Sequence, residues 1–393
     1  MSPASTTADN EALDAEARRL MAAFVGAGYA RIAPAVIQPA GLFLDVIGES
    51  LRGRTYVFTD PDGEELCLRP DLTVPTCRWH LEQHPGGLAA ARYCYSGSAF
   101  RYQPVGADSA HPREFHQAGI ESFGATDREA DDAAVLVLIV EALRASGLEG
   151  LEVRIGDLGL FNALINAIAM PERWRRRLKN KFWRAEAFRA ELARLRSGAA
   201  GHGQGLPAEF VLGLDPANPA EATARVLDYL DRAGLELIGT RTAEEITERL
   251  LAEAADLQAP PLAAEKAALI ERYVAIKAPA HEVADRLDEL ARTHRVDLTV
   301  ALNAFRRRLA LIEKAGVGMK DAAFSAEFGR NLEYYTGFVF EVIAPALGPT
   351  SPVAGGGRYD SLLAEVGALR PVPAVGASIH TERLLAVLPG AAP

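Results

Sequence analysis

Cysteine is scarce in this chain. Its 393 residues include only three, Cys67, Cys77 and Cys94. That odd number without Cys-x-x-Cys spacing excludes a disulfide framework and a zinc ribbon, and reads as reduced thiols of a cytoplasmic protein. Long apolar runs are absent too. The most aliphatic stretch, Ala133 to Val140, is far short of the roughly 20 residues that cross a bilayer, so membrane insertion is excluded. The polar, acidic first residues lack the basic-then-apolar order of a secretion signal. Excess positive charge is also missing. Lys and Arg number 42 against 52 Asp and Glu, a net −10 at pH 7, which argues against a broad nucleic-acid footprint because phosphate binding rests on Lys and Arg.

Several catalytic patterns are missing as well. No His-Glu-x-x-His occurs, and the 8 histidines do not fall at metal-ligand spacing, so neither a metal centre nor a cofactor is expected. There is no Gly-x-Ser-x-Gly elbow, no Gly-x-Gly-x-x-Gly after a strand, and no Gly-Lys-Ser/Thr after a glycine run. Those absences remove hydrolase, dinucleotide and Walker-type nucleotide sites. What remains is an ordinary globular balance, 49% hydrophobic and 24% charged. The length suits two or three domains and can bury roughly three quarters of the unfolded surface.

Apolar Leu13, Ala17, Leu20, Met21 and Phe24 recur at helical spacing, predicting a helix from Glu11 that stops at Gly26 or Gly28. Extended sequence follows from Tyr29 to Ile37, and Tyr56–Phe58, Glu65–Leu68 and Arg92–Tyr102 have strand content. Phe115–Phe123 alternates, with Gln117, Gly119 and Glu121 on one face and His116, Ala118 and Ile120 on the other. An amide, a bare backbone and a carboxylate make either the floor of a polar ligand site or an exposed sheet face. Thr126-Asp127-Arg128-Glu129 fits a capping box opening a buried helix through Arg144. A strand over Leu151–Ile155 and a helix over Phe161–Ala169 follow. Residues 171–318, rich in Ala, Leu, Arg and Glu, read as a mostly helical insertion between two halves of a core, 10–170 and 319–393, with strand content returning at Phe324–Phe328 and Phe338–Ile343. One basic run stands out in the insertion. Arg173, Arg175, Arg176, Arg177, Lys179, Lys181 and Arg184 surround Trp174 and Trp183, which suits either a grip on single strands or a helix face against a partner or an acidic patch.

Four runs carry the remaining signal: Leu68-Arg69-Pro70-Asp71-Leu72-Thr73, Phe100-Arg101-Tyr102-Gln103-Pro104 with Phe115-His116-Gln117, Arg330-Asn331-Leu332-Glu333-Tyr334-Tyr335-Thr336-Gly337, and Gly355-Gly356-Gly357-Arg358-Tyr359-Asp360. Alone, the double tyrosine is a packing element and the glycine triplet a turn. Together, and in this order, they resemble the amino-acid-binding core of histidyl-tRNA synthetase, a class II synthetase. The resemblance covers roughly residues 10–170 and 320–390. It implies an α+β fold with a six- or seven-stranded antiparallel sheet flanked by helices, and a homodimer built through a helix-and-strand motif near the N-terminus. Ten residues follow Arg383, so the anticodon-binding domain of the synthetases is not expected. In that respect the chain resembles the synthetase-like family of ATP phosphoribosyltransferase regulatory subunits.

A free histidine needs cationic or amide donors for its carboxylate, carboxylates for its ammonium, and acceptors for its imidazole. By the resemblance, Asp71 and Gln117 hold the amino-acid head and Glu121 and Tyr335 meet the imidazole, with Arg101, Arg330 and Tyr334 completing the site. Asp71 stands where the synthetase has Glu. Arg101, Arg113, Arg330 and Arg383 match synthetase arginines that hold ATP, Arg113 and Arg383 serving the nucleotide alone. However, the synthetase pattern Arg-x-Glu-Arg-Pro is here Arg101-Tyr102-Gln103-Pro104, so the loop that grips ATP is altered. His111 and His116 read as a loop residue and a sheet-back residue. The resemblance thus implies a non-catalytic regulatory subunit of the first step of histidine biosynthesis. Its partners would be the short-form catalytic subunit and free histidine, without tRNA, and its assembly a homodimer within a hetero-oligomer. Two alternatives stay open: a truncated enzyme that adenylates histidine, and a scaffold without a ligand.

Overall fold

The computed structural model describes residues 7–44, 52–103, 112–198, 206–234, 242–320, 322–328 and 334–389, and the chain divides into two compact units, one of Met1–Ala167 with Tyr273–Pro393 and one of Ile168–Arg272. The first unit is built on a sheet. Its strands are β1 (Ala30–Arg31), β5 (Ala91–Phe100), β6 (Glu114–Phe123), β7 (Glu152–Asp157), β8 (Lys277–Pro279), β9 (Ala323–Ser325), β10 (Phe338–Ile343), β11 (Ala354–Arg358) and β12 (Ala374–His380). They lie in the order β1-β5-β6-β12-β11-β10-β7-β9-β8. From β5 to β7 every neighbour is antiparallel. The short strands β1 and β9 join in parallel, and β8 completes the far edge. The sheet is therefore the expected antiparallel one, widened at both ends by strands of two or three residues that periodicity cannot detect. A small second sheet orders β2 (Ile37–Pro39), β4 (Glu65–Leu68) and β3 (Val57–Thr59).

The glycine triplet is an interior strand, not a turn. Gly355, Gly356 and Gly357 pair on both sides, with β10 and with β12. Helix Thr7–Gly26 packs against β5 and β6, and helices Arg128–Ala145 and Thr299–Lys314 pack on each other. The first of these buries Val135, Leu136, Ile139, Val140 and Leu143, as its all-round apolar sequence requires. It opens one residue later than the capping box suggests. Asp127, not Thr126, is the N-cap, accepting the amide of Ala130 at 3.2 Å while Arg307 donates two bonds of 2.6 Å to the same carboxylate. A carboxylate held by a guanidinium and facing a helix N-terminus outcompetes a hydroxyl.

Between these two helices and the sheet lies a buried ionic network. Asp132, fully buried, accepts from Arg308 Nε at 2.8 Å and from Arg358 Nε at 2.8 Å. Arg308 also donates to Asp157 at 2.7 Å, and Arg358 to Asp360 at 2.8 Å. Burial disfavours the Arg308 charge, but Asp157 and Asp132 outweigh it and hold the pKa above the ordinary arginine value.

The second unit is helical, and at Ile168–Arg272 it ends well before the expected 318. Helices Ala280–His294 and Thr299–Lys314 belong to the first unit, where they bury Val283, Leu287, Leu302, Phe305 and Ile312. Composition could not separate them from the insertion, because both stretches are amphipathic and Ala/Leu/Arg-rich. In the second unit Val211, Leu214, Ala222, Val226, Leu250 and Ala254 form a small core. The basic run resolves against an acidic patch. Arg173, Arg177 and Trp174 Nε1 converge on Asp256, and Arg177, Lys181 and Arg194 on Glu191. Both carboxylates are nearly buried, with side chains 5% and 3% exposed. Against burial, these bonds pull both carboxyls below the usual range. Arg173, Arg177 and Lys181 of the run, with Arg194, thus tie helices Glu172–Lys181, Ala185–Ser197 and Ala243–Gln258 together.

Candidate functional site

Antiparallel register decides which side chains share the pocket face, because residues directly opposite point the same way. Gln117, Gly119 and Glu121 of β6 stand opposite His380, Ser378 and Gly376 of β12. On β11, Gly355 and Gly357 continue the row. On β5, Tyr95 stands opposite Gly119. The residues between them point to the other face, and Arg358 is one of these, so the ionic network and the pocket occupy opposite sides of the same strands.

The pocket is a small, partly enclosed recess whose open space, its mouth and adjoining solvent included, is about 380 Å³. Asp71, Thr73, Arg101, Gln117, Tyr334, Tyr335 and Tyr359 line it, over the backbone of Gly355, Gly376 and Ala377 and beside Ser378 and His380. Asp71 sits where the chain turns into helix Thr73–Gln83, its Oδ1 accepting the amide of Val74 at 3.2 Å. Its Oδ2 has no partner among the described residues, although the residue is only 4% exposed. Burial raises its pKa, partly offset by the Arg101 charge and the amides of Val74 and Thr73. Gln117 donates from Nε2 to Ser378 Oγ at 3.3 Å and leaves Oε1, also buried, without a partner among the described residues. Two buried acceptors with nothing to accept are costly, about 1–3 kcal/mol each. A ligand carrying donors would satisfy both.

Glu121 lies one layer deeper. It is fully buried and not on the pocket wall. Tyr95 donates to its Oε1 at 2.9 Å, and Tyr359 to its Oε2. Above it, Gly376 must lack a side chain, since a Cβ there would lie 1.5 Å from Glu121 Oε2. Gly119 is constrained the same way, with the Tyr95 hydroxyl and ring carbon 2.6 Å from a would-be Cβ. Burial pushes the Glu121 carboxyl up to about 7, against the hydrogen bonds of Tyr359, Thr73 and Tyr95. Between its ordinary value of 4.5 and about 7 the folded state holds a proton that the unfolded chain has released. That contribution to stability is full below the lower value and lost as pH rises through the upper one. Substituting Glu121→Gln should flatten this part of the stability profile by about 3 kcal/mol. Urea midpoints across the window check it, and parallel profiles for the two proteins would place the proton elsewhere.

The structure brings together five of the seven residues expected around histidine, Asp71, Arg101, Gln117, Tyr334 and Tyr335, on one pocket. Glu121 stands beneath it and is bonded to Tyr359 on the wall. Arg330 lies outside the described residues, as do Pro104 and His111. Arg101 donates to the Pro70 carbonyl at 2.9 Å and stacks over Phe115. The two arginines expected at nucleotide do not line the pocket. Arg113 donates to the Gln103 carbonyl at 3.0 Å, and Arg383 to the Pro352 carbonyl at 2.9 Å. His116 sits on the sheet back, 3.4 Å from Thr381 Oγ1. Sequence reasoning missed Tyr95, Thr73, Ser378 and His380, and left Tyr359 without a role. Extending the period-two reading of β6 to its neighbour would have placed Tyr95 on the same face. Among the described residues, no group of His, Cys, Asp and Glu could hold a metal ion, and no helix is long and apolar enough to cross a membrane.

The antiparallel sheet with its glycine strand and polar pocket defines a class II synthetase domain of the histidyl type. The chain matches the histidyl-tRNA synthetase family model over residues 6–204 and 230–384. Its fold is shared with a solved ATP phosphoribosyltransferase regulatory subunit/histidyl-tRNA synthetase from Bacillus halodurans, with a TM-score of 0.67 at 19% identity over 99% of this chain and 82% of that one. A histidyl-tRNA synthetase from a Nostoc species aligns at 0.61 and 17% identity, over 98% of this chain and 73% of that one. Sequence relatives are more particular. An ATP phosphoribosyltransferase regulatory subunit from Agrobacterium fabrum is 38% identical over 382 residues, 94% of this chain and 96% of the relative. One from Brucella anthropi is 37% identical over 351 residues, 89% and 90% of the two chains. The chain belongs to the family of ATP phosphoribosyltransferase regulatory subunits.

Proposed function

We propose that this chain is the non-catalytic regulatory subunit of an ATP phosphoribosyltransferase complex, working in the cytoplasm with a short-form catalytic subunit, and that its pocket receives free histidine as the feedback ligand. The observation that carries the ligand is the pair of orphaned acceptors, Asp71 Oδ2 and Gln117 Oε1. A ligand's ammonium would satisfy them, and a charge-assisted bond is the stronger kind. Arg101 offers a cation for a carboxylate, and the tyrosine cluster offers ring faces and hydroxyls for an imidazole. Tyr334 and Tyr335 ring centres lie 4.9 Å apart, and Tyr334 and Tyr359 5.7 Å apart. The non-catalytic reading draws on Arg113 and Arg383, which donate to the Gln103 and Pro352 carbonyls and do not line the pocket, and on the altered Arg101–Pro104 run. The buried, unpaired cysteines suit a reducing compartment. Assembly with other chains is supported by Ile37, Val57 and Phe58, apolar and 51%, 41% and 38% exposed on the small sheet.

Calorimetry with histidine tests the ligand. Binding is expected in the wild type, and Asp71→Asn should weaken it roughly ten- to hundredfold, because the buried partner of the ammonium loses its charge. Equal affinities would remove the head-group assignment. ATP–pyrophosphate exchange tests the absence of catalysis. No histidine-dependent exchange is expected, and exchange on the order of 1 per second would favour the adenylating enzyme.

A further inference from the structure

We propose that the open groove at the β8 edge of the large sheet is a second ligand site, for a small phosphate ester carrying a flat ring, of the nucleoside monophosphate class. The groove has a volume of about 820 Å³, within the span of small-molecule sites. All of its walls belong to the first unit. It lies over β7, β9 and β8, at the other end of the strand order from β6 and β12, which carry the pocket described above. Neither Arg113 nor Arg383 lines it. The proposal does not depend on histidine binding.

Strand register builds the floor. Arg154 of β7 pairs with Ala323 of β9, and Ala323 with Pro279 of β8, so these three form a row on one face. Ser325 and its partner Lys277 stand on the same face, one period further along. Neighbouring strands are about 4.8 Å apart, which separates β7 from β8 by roughly 10 Å, room for a ring and its substituents. The β9 residues between them, Ala323 and Ser325, are small and leave that floor open. Phe328 supplies an apolar wall. Its carbonyl and ring lie against Gly156, where a Cβ would collide with both, so the missing side chain at 156 is what seats the ring on β7.

Charge selects the head of the ligand. The chain carries a net −10, yet Arg154, Lys277 and Lys320 line this groove against a single carboxylate among the described residues, Glu327. Arg154 is partly committed, donating to the Pro349 carbonyl at 3.3 Å and standing opposite Glu341 on β10. Lys277 and Lys320 are held in no ion pair among the described residues. Two such ammoniums suit a phosphate monoester, with about −1.5 to −2 charges at pH 7 and three acceptor oxygens, better than a lone carboxylate. An acidic peptide added as a strand is opposed by the edge itself. The Ala280 N–H donates to the Ala322 carbonyl at 2.8 Å and the Ala326 N–H to the Ile276 carbonyl at 3.0 Å. By alternation, the backbone groups of Lys277 and Pro279 face outward, and proline has no N–H to give an added strand.

Calorimetry on the full chain tests the site, with adenosine 5′-monophosphate, adenosine and inorganic phosphate as probes. The monophosphate is expected to bind with a Kd below about 1 mM, and the other two at least about tenfold more weakly. Lys277→Gln combined with Lys320→Gln should weaken the monophosphate about tenfold or more. Ala323→Phe, at an exposed position, fills the floor without touching a charge and should have a similar effect. Both ammoniums are near the surface, so added salt should weaken binding in the wild type and much less in the lysine variant. Circular dichroism melts check that each variant folds, and either one decides the matter if the other does not. No binding of the monophosphate at millimolar concentration would overturn the proposal. Equal affinity for adenosine or for inorganic phosphate would do the same, because half of the groove would then contribute nothing. Binding that neither variant weakens would place the nucleotide elsewhere on the chain and overturn it as well.

Discussion

Asp132→Ala is expected to destabilise the first unit by about 3–5 kcal/mol, because it leaves two buried guanidiniums without their shared carboxylate. Arg308 is 6% exposed and Arg358 4% exposed, and neither can reach water for compensation. Asp157 and Asp360 hold one arm of each, which limits the loss without removing it. Arg358 also donates to the Arg128 carbonyl at 3.1 Å, at the start of helix Arg128–Ala145, so one aspartate ties that helix, helix Thr299–Lys314 and strand β11 together. Urea denaturation of the variant reads the effect. A loss under about 1 kcal/mol, the worth of a surface pair, would mean that the network is solvated.

Gly376→Ala should be nearly as costly and should act on the other face. The added methyl would fall 1.5 Å from Glu121 Oε2 and 2.7 Å from the Ile120 carbonyl. The backbone of paired strands cannot yield, so the carboxylate must. It then loses the Tyr95 and Tyr359 hydroxyls and remains buried, a combination expected to cost about 2–4 kcal/mol. Adding Gly376→Ala to a Glu121→Gly variant should cost much less than adding it to the wild type, since the carboxylate the methyl would meet is gone. An equal cost in both backgrounds would mean that the clash is with the backbone and not with Glu121.

Much of this was legible in the sequence, and the exceptions share a cause. The face of β6 could be read from Gln117, Gly119 and Glu121 because alternation is a local property of one strand. Its depth could not. Whether Glu121 reaches the pocket or lies under it depends on Tyr359 and Gly376, more than two hundred positions away. Asp71 was identified from its run, but its free oxygen is a property of packing. The basic run from Arg173 to Arg184 illustrates the same limit. Its spacing suits a nucleic acid or an acidic patch, and the arrival of Asp256 and Glu191 accounts for Arg173, Arg177 and Lys181. Helices Ala280–His294 and Thr299–Lys314 were assigned to the insertion because amphipathic helices look alike in sequence. What distinguishes them is the partner they bury against, and Arg308, a buried cation in an otherwise ordinary helix face, was the one local clue.

The most direct test of the regulatory account is an inhibition curve for the reconstituted complex. A short-form ATP phosphoribosyltransferase catalytic subunit is assayed with this chain, in its wild-type form and as Asp71→Asn, while histidine is titrated. The account predicts that the wild-type chain confers activity that histidine suppresses, and that the variant moves the curve to roughly ten- to hundredfold higher histidine. Superimposable curves would contradict it and place the inhibitory site in the catalytic partner.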